Sequence, residues 1–411
     1  MRGAIVLLLI PAIFAAEPVK LPEPFRSIVD LAAAAPPEFT ADALLRMVES
    51  GRLADKNARR DLVEQAFQLA ASAKFGVQME GLTGATADTR SGSLSRAYGL
   101  RLDVLSLQSR AVRDMLPIDQ AKARELFGQM ATPTLAPLTC DDALVYEPSE
   151  FYQALTAVVN GAYTAKEKAK DLHFNLFLDA LGQVTSPSQL PPLAAAIESA
   201  GVTAAQRQML WARFDGLLES MQPDARSFAA SLPALSVVAA PGWQPLFEKY
   251  RQKGHGCEAD MPKLELYWQS ASARQMLQTG KTLRFAADRT STDWQQQLAD
   301  YLNLIASWTQ DPTESDAVFY HEKCMVYTSL LDLVTIGPLS DKILADFVDF
   351  AGNSGLYQQS PAEWFLEPST LLERAQNNPG LHFRVLQAFH DSGNPVLVLE
   401  VALESRVFHL S

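Results

Sequence analysis

Apolar residues recur along most of this chain at intervals of three and four, the spacing that gathers them on one face of an α-helix. The clearest stripe is Trp294, Leu298, Tyr301, Leu302, Ile305 and Trp308, at offsets of 0, 4, 7, 8, 11 and 14. Phe151, Tyr152, Leu155, Val158 and Val159 form another, and Leu172, Leu176, Phe177, Ala180 and Leu181 a third. Met209, Leu210, Phe214, Leu217, Leu218 and Met221 follow the same rule, as do Ile343, Leu344, Phe347 and Val348. Thr40 is placed to cap a helix over Ala41 to Ser50, with Gly51 as its stop. Asp55 to Phe75 carries Leu62, Ala66, Leu69, Ala70 and Ala73 on one face and ends at Gly76. No run alternates with the strand period. Pro395 to Val407 is ambiguous, but Asn394-Pro395 suits an N-cap and first position, and Val396, Leu399, Leu403 and Val407 then share a face. The pattern predicts an all-α fold of roughly 60–70% helix with no sheet beyond two strands, against the usual helical share of about a third.

Helix starts fall near residues 40, 55, 93, 119, 149, 164, 186 and 203. Helix pairs of roughly 40 residues are the unit of helical solenoids, so the expected architecture is a stack of antiparallel helical hairpins, an α-solenoid-like array. The alternative is an α/α-barrel. Proline-rich breaks at 132–139 and 233–242 suggest an N-terminal helical region over 40–232 and a C-terminal one over 233–411, continuous if the second break is a loop. Ahead of them, residues 16–39 carry Pro18, Pro22, Pro24, Pro36 and Pro37 around an alanine run, which reads as a tether with a short helix near Phe25 to Ala34.

The first residues do not fit a helical array. Arg2 precedes an uninterrupted apolar run, Ala4 to Phe14, and Ala15-Ala16 offers small residues for cleavage. That order predicts a secretory signal peptide over 1–15, cut after Ala15 or Ala16; a membrane span needs about 20 residues. No later apolar stretch reaches that length, so the expected location is periplasmic or secreted, with no integral membrane segment after cleavage. Composition agrees. The chain has 411 residues, 48% apolar and 20% charged, with a net charge of −12 that becomes 34 − 47 = −13 once Arg2 is removed. An acidic surface argues against nucleic-acid partners.

Candidate chemistry is sparse. Ser93 to Leu116 reads as one continuous helix that is apolar around most of its circumference. Its remaining strip includes Arg96, Asp103 and Arg110, which could line a groove for an anionic or sugar-like ligand; equally, the strip could be solvated, or an Asp103–Arg110 pair could brace a neighbouring helix. The glycine-rich stretch 76–92 lacks the G-x-x-x-x-G-K-[ST] order of a phosphate loop. His255, Cys257, Glu258 and Asp260 lie within six residues, and His321, Glu322 and Cys324 form a second group, but neither has the paired spacing of a zinc site, so no metal or other cofactor is expected. No G-x-S-x-G elbow marks a hydrolase, and no catalytic residue stands out. Paired acids in a barrel glycosidase would leave no motif, and Trp243, Trp268, Trp294, Trp308 and Trp364 could stack on sugars. The reading that follows is an exported, non-catalytic helical protein that binds a protein or peptide partner; the alternative is a carbohydrate-active α/α-barrel enzyme.

Two resemblances bear on the fold. Lys122 to Met130 (KARELFGQM) resembles a helix of pentatricopeptide or tetratricopeptide repeats, with no second copy at a 34- to 35-residue period. Residues 93–116, this segment, 321–350 and 360–367 in order are similar to exported, uncharacterised bacterial helical proteins. That resemblance implies a helical fold and carries no activity.

Three cysteines in an exported chain allow one bridge and one thiol. Cys140 and Cys257 lie in polar loops, whereas Cys324 shares a helical face with Tyr320, Tyr327 and Leu331. The expected pairing is Cys140–Cys257, leaving Cys324 buried and free.

Overall fold

The computed structural model describes residues 21–23, 25–82, 88–222, 225–230, 244–253, 257, 262–334 and 337–405. It is 68% helical, with two short strands. Met79–Gly81 (β1) pairs antiparallel with Leu144–Tyr146 (β2), with Glu80 opposite Val145. The signal-peptide expectation over 1–15 falls outside the described residues.

Most helices begin where a short polar side chain can hold the free N–H groups of the first turn. Asp55 accepts from Asn57 and Ala58 ahead of the helix Lys56–Ala70. Asp119 accepts from Ala121 and Lys122, and Thr203 with Gln206 forms a reciprocal box ahead of Ala204–Ser220. Asn394 accepts from Val396 and Leu397 and opens Pro395–Leu403, so the ambiguous segment is a helix.

Two expectations are corrected here. Thr40 is not a cap: the helix starts three residues earlier, at Pro37, with proline at the first position. Thr40 instead donates its hydroxyl to the carbonyl of Ala32 at 2.7 Å. The expected 93–116 helix is two helices, Arg90–Tyr98 and Val104–Met115. Gly99 ends the first, Arg101 turns the chain with φ +58°, and Asp103 caps the second. The second helix's opening N–H groups also find outside partners, since Val104 and Leu105 donate to the carbonyls of Phe75 and Gly76 at 2.8 and 3.2 Å. Apolar positions continue on both sides of the turn, which is why the pattern reads through it.

Packing follows chain order through the first half. Pro37–Glu49, Lys56–Ala70, Val104–Met115, Ser149–Gly161, Leu190–Ser199 and Ala204–Ser220 each rest on the next. In the second half Ala271–Arg284, Asp316–Leu331, Pro338–Gly352, Pro379–Asp391 and Pro395–Leu403 do the same. The last of these lies against the first helix, Phe25–Ala32, and against Pro37–Glu49. The array therefore meets its own beginning, which an open solenoid does not do. The expected tether is corrected by the same contact: its short helix, expected near Phe25 to Ala34, is present and docks on the core, with Leu21, Phe25, Ile28, Ala32 and Phe39 buried. One hydrophobic cluster runs from Leu21 to Leu403. Arg90–Tyr98 also packs on Pro361–Ala375, tying the halves across the middle.

Candidate functional site

The strip of Arg96, Asp103 and Arg110 does not assemble. Arg96 sits on the first of the two helices and donates to Ser93 Oγ at 2.9 Å. Asp103 is 1% exposed and spends one oxygen on the N–H of Ser106 at 2.9 Å; burial pushes its pKa up to about 6. Arg110 forks between Glu49 and Asp42, with contacts of 2.5 Å to each. Asp42 also faces Arg46, which grips both oxygens of the buried Glu400 at 3.0 Å. Arg110 is thus a tie between the Val104–Met115 and Pro37–Glu49 helices, and of the three readings of the strip the bracing one is nearest, with Glu49 and Asp42 in place of Asp103 as partners.

A buried polar cluster lies between Asp316–Leu331 and Pro361–Ala375. His321 is fully buried; its Nδ1 lies 2.9 Å from Glu367 and its Nε2 3.7 Å from Glu363. Arg90 reaches in from the other half and donates to both oxygens of Glu363, at 3.2 and 3.5 Å, while a further nitrogen meets Glu265 at 3.4 Å. Burial alone would strip the proton from His321, but the two carboxylates outweigh it and hold its pKa above the ordinary value. Burial likewise opposes charge on Glu363, and His321 and Arg90 outweigh that and lower its pKa. Pro368 lies inside this helix and has no N–H to give to Trp364 four residues back. Tyr320 Oη takes that place, donating to the Trp364 carbonyl at 2.8 Å. The cluster is an ionic lock that joins four chain segments, those of Arg90, Glu265, His321 and the Glu363–Glu367 turn.

A recess of about 900 Å³ lies elsewhere, between Pro338–Gly352 and Pro379–Asp391. One wall is the stripe Asp341, Leu344, Val348 and Gly352; the other is Phe383, Gln387 and Asp391. Phe383 is 68% exposed at the lip. Three aspartates, Asp341, Asp349 and Asp391, face one arginine, Arg384, which already contacts Asp341 at 2.9 Å. Glutamine and histidine neighbours hold Asp391 below the usual carboxylate range. The rim is therefore negative by 3 − 1 = 2 charges. Sequence patterning missed this groove, although Phe383 does not share the buried Val385–Phe389 face and was the available signal.

Three of the five candidate stacking tryptophans, Trp294, Trp308 and Trp364, are buried in the core, with Trp294 and Trp364 donating to the carbonyls of Leu283 and Ala351 at 3.0 and 2.8 Å. Trp268 is half-buried, and Trp243 lies outside the described residues, as do His255, Glu258 and Asp260. Among the described residues no group of three or more His, Cys, Asp or Glu side chains is arranged to hold a metal ion. Cys140 and Cys257 form the expected disulfide, with Cα atoms 5.4 Å apart, and Cys324 is the buried free thiol. No helix among the described residues is long and apolar enough to cross a membrane. No protein-family model matches the chain, no curated protein is significantly similar to it, and no solved structure matches its fold.

Proposed function

We propose that this chain is an exported, non-catalytic binding protein that holds a basic amphipathic segment of a protein or peptide partner in the groove between Pro338–Gly352 and Pro379–Asp391. The observation that carries the reading is the groove itself. Two helical stripes flank about 900 Å³, an exposed phenylalanine stands at the lip, and the rim is acidic. Grooves of this kind accept a helix whose apolar side chains recur at three and four residues. The negative rim selects lysine and arginine on that helix's other face. Export is supported by the Cys140–Cys257 bridge, since such bonds persist in oxidising compartments. His321, Glu322 and Asp103, whose pKa values are raised, are buried, and their partners are other groups of the fold.

Isothermal titration with an amphipathic Leu/Lys helical peptide tests this. Binding is expected with a Kd on the order of 1–100 μM, in the range of modest interfaces. Phe383→Ala combined with Asp349→Lys should weaken it by about tenfold or more, as loss of an aromatic anchor together with a reversed rim charge does. Equal binding of the matching Leu/Glu peptide, or indifference to the two substitutions, overturns the reading.

A further inference from the structure

A second recess, of about 390 Å³, opens on a different set of helices: Ala271–Arg284, Thr292–Ser307 and Asp316–Leu331. Its walls are apolar and aromatic, with Trp268, Met276, Tyr301 and Met325 prominent. Its charged lining is the reverse of the rest of the molecule. Lys281, Arg284 and Arg374 stand around it against one acid, Asp88, in a chain of net charge −12. Arg284 is shared with the exposed Asp332 at 3.2 Å, whereas Lys281 and Arg374 make no ion pair among the described residues.

The recess is also built at a local backbone cost. Trp268 adopts φ +61°, a left-handed conformation that a bulky side chain rarely takes. It is held there by the buried carboxylate of Glu322, which accepts its N–H, and by the flanking bridge in which Tyr267 N donates to Asp88 O at 2.8 Å. Strain of this type persists where surrounding structure overdetermines it, and it concentrates at binding sites. Gly280 lets Ala271–Arg284 come close to Tyr301 in the wall: a Cβ there would lie 3.1 Å from Tyr301 Oη. That hydroxyl is already spent on the Met276 carbonyl at 2.6 Å, so Tyr301 offers the site its ring and not its polar end.

We propose that this recess is a binding site for a small amphiphilic anion, with its apolar body against Trp268, Met276, Tyr301 and Met325 and its head group between Lys281 and Arg374. The volume lies within the range of small-molecule sites, roughly 300–1,000 Å³, and excludes a folded partner. The shared chemistry is one acidic head, carboxylate or sulfate, on a hydrocarbon body. Flexible rim cations close on either head, and the apolar walls supply the affinity.

The test is titration calorimetry on the full chain with sodium octanoate, sodium octyl sulfate and octylammonium chloride. At least one anion should saturate a single site, with octylammonium weaker by about tenfold or more, the scale of one lost charge contact. Lys281→Glu with Arg374→Glu should reverse the order; both residues are exposed, so the fold should survive, as circular dichroism would verify. If neither anion binds, if octylammonium matches them, or if the double charge reversal leaves the order intact, the assignment is overturned. None of these substitutions touches the acidic groove, so the two sites fail or stand separately.

Discussion

Burying a carboxyl without a cation removes its hydration and leaves only hydrogen bonds to hold the charge. Glu322 is in that position. It is fully buried, one oxygen accepts the Trp268 N–H, and the other has no hydrogen-bond partner among the described residues. Burial pushes its pKa up to about 7, the Trp268 N–H opposes that, and Glu314 adds to it. The folded chain therefore binds this proton more tightly than the unfolded chain does. Its contribution to stability is full below the ordinary value of 4.5 and is lost as pH rises through about 7. His321, with its raised pKa, acts in the same direction and loses its contribution as pH rises through its folded value. Glu363, lowered, acts oppositely: its contribution is lost as pH falls through its folded value. Stability should thus be greater near pH 5.5 than near pH 8. Glu322→Gln keeps the acceptor for Trp268 and removes the titration. It should flatten that slope by on the order of 1–2 kcal/mol, read from guanidinium unfolding at the two pH values. A slope unchanged in the variant would assign it to other groups.

At the scale of elements, Asp103 separates two roles that its sequence position conceals. As the cap of Val104–Met115 it satisfies the Ser106 N–H; as a buried carboxyl it resists ionisation. Asp103→Ala should cost about 1 kcal/mol, the usual loss of a cap. Asp103→Asn keeps an acceptor oxygen and should stay within about 0.5 kcal/mol of the parent near pH 7. Equal losses in both variants would mean the charge, not the cap, is what matters. The helix starts at 56, 120, 204 and 395 were legible because caps are local: the side chain and the N–H it serves lie within three residues. The break at 99–103 was not, since it is fixed by Phe75 and Gly76 accepting from the second helix, contacts that no window of sequence displays. Arg110 is the same case. Its partners, Glu49 and Asp42, lie 61 and 68 residues away, so a helical wheel places it correctly on a polar strip and says nothing of what it grips. The acidic groove was legible only as an aromatic out of phase with its stripe.

The whole molecule is held by a few long-range ties on a continuous core. Arg46 clamps Glu400 across 354 residues where Pro37–Glu49 and the last helix meet, and Arg90 clamps Glu363 across 273. The disulfide spans 117 residues, and its cysteines were the one long-range contact that elimination could reach from the sequence. A loop of that length gives a chain-entropy stabilisation of about 4–5 kcal/mol at most. The same place has other ties. Lys263 N donates to the Asp141 carbonyl at 2.9 Å, and Arg226 donates to the carbonyls of Thr139 and Cys140. These contacts hold the 139–142 segment whether or not the bridge is closed, so the folded state should survive its loss. Cys140→Ser with Cys257→Ser should therefore lower unfolding stability by about 2–4 kcal/mol while leaving the helical circular dichroism of the folded protein unchanged. Thiol counting gives an independent reading. The native parent should take up no iodoacetamide, because Cys324 is buried and its thiol pKa is raised well above the ordinary value by that burial. Mild reduction should expose two alkylation sites, and a third should appear only on unfolding. Modification of Cys324 in the reduced, still helical protein would mean that the bridge also secures the packing around Asp316–Leu331, and that the side-chain ties at 139–142 are too weak to keep the two halves together.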